Sequence, residues 1–277
     1  MTDRYAVFGN PIKHSKSPQI HAMFAEQTAQ DLVYRAQLVD EKRFAAVAQD
    51  FFAGGGKGLN ITVPFKLDAY AFADQLSDRA RRAGAVNTLA LQEDGNIYGD
   101  NTDGVGLLRD INDNLDWQIE DRRVLVLGAG GAVRGILEPL LRKKPGLLVI
   151  ANRSVDKAQL LARDFNDIGA VSACSFTALA GSQFDLVING TSASLSGEMP
   201  PLPTSLLTDQ ACCYDMVYGA EPSPFMRWAA GQMAWAVSDG LGMLVEQAAE
   251  AFCIWRGVRP KTRPVIDALR VSLAAGS

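Results

Sequence analysis

Lys66 and Asp103 are candidates for moving a proton, with a solvated lysine and a helix cap as their ordinary readings. Lys66 ends the run Asn60-Ile61-Thr62-Val63-Pro64-Phe65-Lys66, where a strand gives way to a helix. A cation at a helix N-terminus opposes the helix dipole, which favours release of its proton and suits it to acid–base chemistry. Asp103, in Asn101-Thr102-Asp103-Gly104, admits two readings: a helix N-cap, or a carboxylate that pairs with Lys66 and keeps it charged. Polar groups gather in three further stretches. In His14-Ser15-Lys16-Ser17-Pro18 two hydroxyls beside a helix start suit a carboxylate or phosphate, with Ser17 as the expected N-cap. Alternation puts Asn60 and Thr62 on one strand face and Ile61 and Val63 on the other, and Asn87 opens a later strand. Gly240, Met243 and Gln247 share a helical stripe turned off the most apolar face, near Met216-Val217-Tyr218. Each stretch also has an ordinary structural reading as a capped loop or a solvated side chain.

A second chemistry is written in Val124-Leu125-Val126-Leu127-Gly128-Ala129-Gly130-Gly131-Ala132-Val133, a strand running into a glycine turn. Gly128 permits the tight turn, Gly130 lets backbone approach a pyrophosphate, and the following helix start offers its amides. Val133 occupies the third glycine position of the dinucleotide motif, a departure that loosens packing or is absorbed by Gly135. The next strand ends in Ala151-Asn152-Arg153-Ser154, with no carboxylate to receive a ribose hydroxyl. Arg153, Ser154 and Lys157 suit a 2′-phosphate instead, so the residues favour NADP over NAD.

The elements that must position these groups alternate, which predicts α/β. Strands are expected at Tyr5–Gly9, Leu32–Leu38 and Gly58–Val63, with helices from Pro18 and over Glu41–Ala53 and one or two helices within Lys66–Ala83. A hairpin turns at Asp94-Gly95. Beyond it the pattern is β-α-β throughout, with strands at Arg123–Leu127, Leu147–Ala151, Val171–Cys174, Leu186–Asn189, Cys212–Met216 and Ala234–Val237. Helices over Gly240–Trp255 and Pro264–Leu273 close the chain. The expected division is 1–102 with 238–277 as one domain and 103–237, a Rossmann-type parallel sheet, as the other.

Composition narrows the function. The 277 residues are 48% hydrophobic and 21% charged, with a net charge of −4, so nothing global favours nucleic acid or an anionic membrane. The two histidines, His14 and His21, exclude a three-histidine zinc site. Cys174, Cys212, Cys213 and Cys253 make no C-x-x-C pair and read as reduced, mostly buried thiols of a cytoplasmic protein; no metal is expected. Neither a membrane span nor a signal-peptide pattern is expected.

Together these stretches resemble the shikimate dehydrogenase family. The resemblance rests on Ser15-Lys16-Ser17-Pro18, Asn60–Lys66, Gly84-Ala85-Val86-Asn87-Thr88, Asn101–Gly104, the Gly128–Ala132 turn, Asn152-Arg153-Ser154, Asp215-Met216-Val217-Tyr218 and Asp239-Gly240-Leu241-Gly242-Met243-Leu244, in the family's order. Ser154 stands where the family has threonine, and Ala193-Ser194-Leu195-Ser196, after Asn189-Gly190-Thr191-Ser192, are less typical. The resemblance implies an N-terminal substrate domain to which the C-terminal helices return, and an NADP domain. It implies NADPH-dependent reduction of 3-dehydroshikimate to shikimate in aromatic amino-acid biosynthesis. It assigns Lys66 and Asp103 to acid–base catalysis. Ser15, Ser17 and Tyr218 would hold the substrate carboxylate; Thr62, Asn87, Asp103 and Gln247 would hold its hydroxyls. Cofactor contacts would come from Gly128, Ala129, Gly130, Gly131, Ala132, Asn152, Arg153, Ser154, Lys157, Thr191, Met216, Gly240 and Met243. Beyond small molecules, a homodimer is the assembly to test. A sister enzyme acting on quinate with NAD shares most motifs, and a non-catalytic NADP sensor would lack the Lys66–Asp103 pair.

Overall fold

Two six-stranded sheets, one in each of two compact units, carry the alternating elements. The structure, a computed structural model, describes residues 2–191, 193 and 197–275, so Ser192, Ser194, Leu195 and Ser196 lie outside the described residues. The first unit comprises Met1–Gly106 with Val245–Val265, the second Leu107–Leu244 with Ile266–Ser277.

The first unit runs β1 (Asp3–Gly9), α1 (Ser17–Gln27), β2 (Leu32–Leu38), α2 (Phe44–Ala53), β3 (Gly56–Ile61), α3 (Lys66–Phe72), β4 (Gln75–Leu76), α4 (Asp78–Ala83), β5 (Thr88–Leu91), β6 (Ile97–Asp100) and α5 (Asp103–Arg109). Its sheet order is β2-β1-β3-β5-β6-β4; β1 is parallel to β2 and β3, and the β5–β6 hairpin is antiparallel. Period-two alternation splits β1 between two cores. Ala6 and Phe8 join Phe44, Leu59, Ile61, Phe65 and Leu89, while Tyr5 and Val7 join Ile12 and Tyr34.

In the second unit come β7 (Arg123–Leu127), α6 (Gly131–Arg142), β8 (Leu147–Ala151), α7 (Val155–Phe165), β9 (Val171–Cys174), β10 (Phe184–Asn189), β11 (Leu207–Asp215), α8 (Pro224–Gly231) and β12 (Ala236–Asp239). The sheet order is β12-β11-β10-β7-β8-β9, all parallel. Both faces are covered, so the strands are apolar nearly throughout. Val124, Val126 and Ile188 enter one core; Leu125, Leu127 and Val187 enter the other. Helices α9 (Leu241–Arg256) and α10 (Arg263–Ala275) follow.

The division falls away from 102/103 and 237/238. From Val245 onward α9 groups with the first unit, where Trp255 Nε1 donates to Leu89 O at 3.0 Å and Glu250 meets Arg79 at 3.1 Å. Most of α10 groups with the second unit: Arg270 donates to both oxygens of buried Asp239, at 2.5 and 2.7 Å.

Other details differ from the sequence reading. Ser17 is the first residue of α1, not its N-cap; Lys16 takes that place without a side-chain cap. The Ser17 hydroxyl caps nothing, and Ser15 Oγ accepts from Ser17 N at 3.3 Å. Strand β3 stops at Ile61, so Thr62 is not part of it and Val63 is exposed. β4 is too short to announce itself, and exists because it pairs with β6. Helix α8 is an element beyond those expected; Ser223 before Pro224 is its start signal, and the Ser223 hydroxyl accepts from Met226 N at 3.2 Å.

All four cysteines are free; Cys212 and Cys213 are buried, Cys174 and Cys253 only partly. Burial pushes the Cys212 and Cys213 thiols up to about 11 and about 12, which keeps them protonated. Among the described residues no helix is long and apolar enough to cross a membrane.

His21 is fully buried and stacked on Tyr34, with ring centroids 4.2 Å apart. Desolvation lowers it to about 3, against an ordinary 6.5, although a hydrogen bond to Asn60 opposes this. The neutral ring therefore favours the folded state, and that contribution is complete above about pH 6.5 and lost as pH falls toward 3. Between pH 7 and pH 5 His21 costs about 2 kcal/mol of stability. Urea unfolding of the wild type and of His21→Phe at both pH values checks this: the variant should lose less, and equal losses would clear His21.

Candidate active site

Asp103 opens α5 but does not cap it; its own N–H is taken by Asn101 Oδ1 at 3.2 Å. Its side chain is spent on two partners. Oδ2 lies 2.5 Å from Lys66 Nζ, and Oδ1 accepts from Asn87 Nδ2 at 2.8 Å. Of the two sequence readings, the ion pair is the one the fold builds. Lys66 is the first residue of α3, and its carbonyl accepts from Val86 N at 2.9 Å, which ties the helix start to the segment carrying Asn87. The Lys66 side chain is 29% exposed and that of Asp103 13%, so the pair is shielded yet reachable.

Asn87 is the hub. Its Nδ2 also faces Thr102 Oγ1 at 3.0 Å and Gln247 Oε1 at 3.4 Å, while its Oδ1 accepts from Thr102 N at 2.9 Å. Lys66, Asp103, Asn87 and Gln247 thus form one hydrogen-bonded group in the first unit. Thr62 joins none of these bonds. Its N–H donates to Phe8 O at 3.0 Å, and its methyl sits where a Cβ on Gly9 would collide with it, so glycine at 9 is what seats Thr62. Ser15 and Ser17 stand together at the start of α1. Asn60 is buried, donated to by the Tyr34 hydroxyl at 2.8 Å.

In the second unit the glycine turn joins β7 to α6 as its motif requires. Gly128 has φ +105°, accessible to glycine at little cost. Gly130 is the N-cap residue with no side-chain cap, and a Cβ at Gly130 or Gly131 would meet nothing within 4 Å. The amides of the first turn are thus open to an anion, the arrangement a pyrophosphate needs. Val133 is fully buried against Gly190, where a Cβ would come within 2.5 Å of its Cγ2. The room for the extra methyls comes from Gly190, at the end of the neighbouring strand β10.

Beyond β8, Asn152 Nδ2 donates to Ser154 O at 3.0 Å and braces the turn that displays Arg153, Ser154 and Lys157, all exposed. At the ends of β10 and β11, Thr191 Oγ1 donates to Asn189 Oδ1 at 2.8 Å, and Asn189 Nδ2 to Asp215 Oδ1 at 3.2 Å. These loops stand at the carboxyl ends of parallel strands, where ligands of such sheets bind. Gly240 cannot carry a side chain, because its Cβ would overlap Met216 O. Met243 is buried in the core beside Met216. Burial raises the Tyr218 hydroxyl, helped by the Asp239 charge, so it stays a neutral donor. The residues present fit a phosphorylated dinucleotide.

Comparison with known proteins bears on the same segments. Residues 7–89 match the shikimate dehydrogenase substrate binding domain, 110–196 the shikimate / quinate 5-dehydrogenase family and 240–270 the shikimate 5′-dehydrogenase C-terminal domain. A protein of Cellvibrio japonicus (strain Ueda107) named shikimate dehydrogenase (NADP(+)) is 62% identical over 273 residues, 99% of each chain. This chain belongs to the shikimate dehydrogenase family. Among solved structures, an Ael1 enzyme from Pseudomonas putida superposes with a TM-score of 0.93 at 50% identity, covering 97% of this chain and 98% of that one. The shikimate 5-dehydrogenase of Thermus thermophilus, solved with NADP(H) and shikimate, gives 0.87 at 30% identity, covering 98% and 100%.

Family membership does not exhaust the site. Thr88 Oγ1 and Thr102 N both donate to Asn87 Oδ1, and neither threonine stands out in the sequence as a site residue. Both lie inside quoted motifs, but a threonine beside an asparagine carries no signal of which way its hydroxyl points.

Proposed function

We propose that this chain catalyses the reversible NADPH-dependent reduction of 3-dehydroshikimate to shikimate in aromatic amino-acid biosynthesis. The observation that carries the reading is the Lys66 Nζ–Asp103 Oδ2 contact of 2.5 Å, in a chain of this family. The nicotinamide, when bound, supplies a hydride to the ketone carbon. Lys66 gives the forming alkoxide its proton and, in the reverse direction, accepts the proton of the shikimate hydroxyl. Asp103 orients Lys66 through one oxygen and is itself held by Asn87 through the other. Thr62, Asn87, Asp103 and Gln247 hold the ring hydroxyls. Ser15 and Ser17 donate to the substrate carboxylate, a role given to Tyr218 on family resemblance alone.

On the cofactor side, the Gly128–Ala132 turn receives the pyrophosphate, and Asn152, Arg153, Ser154 and Lys157 the adenosine 2′-phosphate. Thr191, Met216, Gly240 and Met243 complete that contact set. We assign the protein to the cytoplasm, without nucleic-acid or membrane partners; four free cysteines and a net charge of −4 support this. A homodimer belongs to the same proposal and is read by sedimentation.

The test is absorbance at the reduced-nicotinamide band with shikimate or quinate, each with NADP or NAD. Rapid reduction is expected for shikimate with NADP and little for the other three pairs. Preference for quinate or NAD would move the chain to the sister activity, and tight NADP binding without reduction would overturn the catalytic reading.

A further inference from the structure

Thr88 is 1% exposed and belongs to no substrate contact proposed above. Its hydroxyl lies between two amides: Asn60 Nδ2 donates to Thr88 Oγ1 at 3.2 Å, and Thr88 Oγ1 donates to Asn87 Oδ1 at 3.0 Å. The direction of these bonds follows from the charge at one end. As a carboxylate facing Lys66, Asp103 only accepts, and its Oδ1 is 2.8 Å from the Asn87 amide. Asn87 must therefore turn its NH2 to Asp103 and its oxygen to the opposite side, where Thr102 N also donates at 2.9 Å. Facing that oxygen, Thr88 uses its single proton as a donor and offers a lone pair to the Asn60 NH2. Asn60 then turns its oxygen to the Tyr34 hydroxyl at 2.8 Å and to His21 Nε2 at 3.2 Å. The neutral His21 ring must carry its proton on Nε2, which leaves Nδ1 the bare nitrogen, and among the described residues buried Nδ1 meets no hydrogen-bond partner.

We infer that these bonds form one directed chain from His21 through Asn60, Thr88 and Asn87 to the Lys66–Asp103 pair, and that Thr88 is the positioning residue that keeps the Asn87 amide turned toward Asp103. The kinetic consequence rests on the proposed acid–base role of that pair; the direction of the chain does not.

Thr88→Val keeps the β-branched shape that suits β5 and deletes the hydroxyl. The expected result is a fall in kcat/KM for shikimate of about five- to tenfold, the size of one buried hydrogen bond, divided between a lower kcat and a higher KM. KM for NADP should not move, and Thr88→Ser should restore most of the loss. A lower melting temperature with wild-type kcat and KM would make Thr88 merely structural and overturn its positioning role. Lys66→Ala separates the two failures. If that variant turns over normally, the acid–base reading falls; if it is inactive while Thr88→Val is wild type, only the role of Thr88 falls. A second measurement needs no variant. With two histidines in the chain, 15N spectra of histidine-labelled protein resolve His21 directly. An Nε2–H tautomer is expected, and an Nδ1–H tautomer would overturn the direction of the chain.

Discussion

Replacing Lys66 with Ala is expected to lower kcat by about 100-fold or more, while shikimate still binds. The size follows from what is removed. Hydride delivery leaves a negative alkoxide oxygen, and without a positioned donor the proton must come from water. Binding survives because the other polar groups of the site hold each other. Asn87 keeps Thr102 and Gln247, and Asp103 keeps Asn87. The loss should therefore sit in kcat, with the shikimate dissociation constant changed by only a few-fold, as expected when an interaction of the transition state alone is removed. Steady-state kinetics with a separate binding titration checks this. Near-normal turnover would take Lys66 out of the role, and a loss confined to KM would make it a binding residue.

Arg153→Ala should raise KM for NADP by about 10- to 100-fold and leave KM for NAD within about twofold. Among the described residues Arg153 forms no ion pair, and it is exposed just past β8, so its charge is available to a ligand. A charge-assisted hydrogen bond to a phosphate dianion is worth about 1.5–3 kcal/mol, which sets the range. Exposure and salt screening pull the value to the lower end, and the effect should shrink further as salt is raised. Asp156, exposed in the first turn of α7, carries the opposite sign, so Lys157 alone compensates poorly. Equal losses with both cofactors would mean that Arg153 shapes the turn and does not read the phosphate.

Much of this protein was legible before any fold was known, for a common reason: the legible parts are local. A strand, a glycine turn and a helix start are adjacent in sequence, so Val124–Val133 announces its geometry and its affinity for an anion at once. The parallel sheet follows from apolar runs spaced by amphipathic helices, and the hairpin from Asp94-Gly95, where Gly95 has φ +87°. The absence of a carboxylate after Ala151 is likewise a fact about neighbours. The same locality holds at α8, where Ser223-Pro224 is a start signal made of neighbours.

Whatever depends on residues far apart along the chain was decided by tertiary structure. Sequence left Asp103 as either a cap or a partner of Lys66; the packing of α3 beside the segment entering β5 made it the partner. Local preference makes Ser17 an N-cap, but α1 starts one residue earlier than that, with Lys16 in the cap place and Ser17 already in the helix. Val133 is tolerated in a glycine position because Gly190 lies opposite it. The tail divides between two units because Asp239 draws Arg270 one way while Leu89 and Arg79 hold Trp255 and Glu250 the other. Residue types and short spacings determined which chemistry this chain can do. Which oxygen, hydroxyl and amide meet to do it was decided by packing, because a hydrogen bond is directional and its partner need not be a neighbour in sequence.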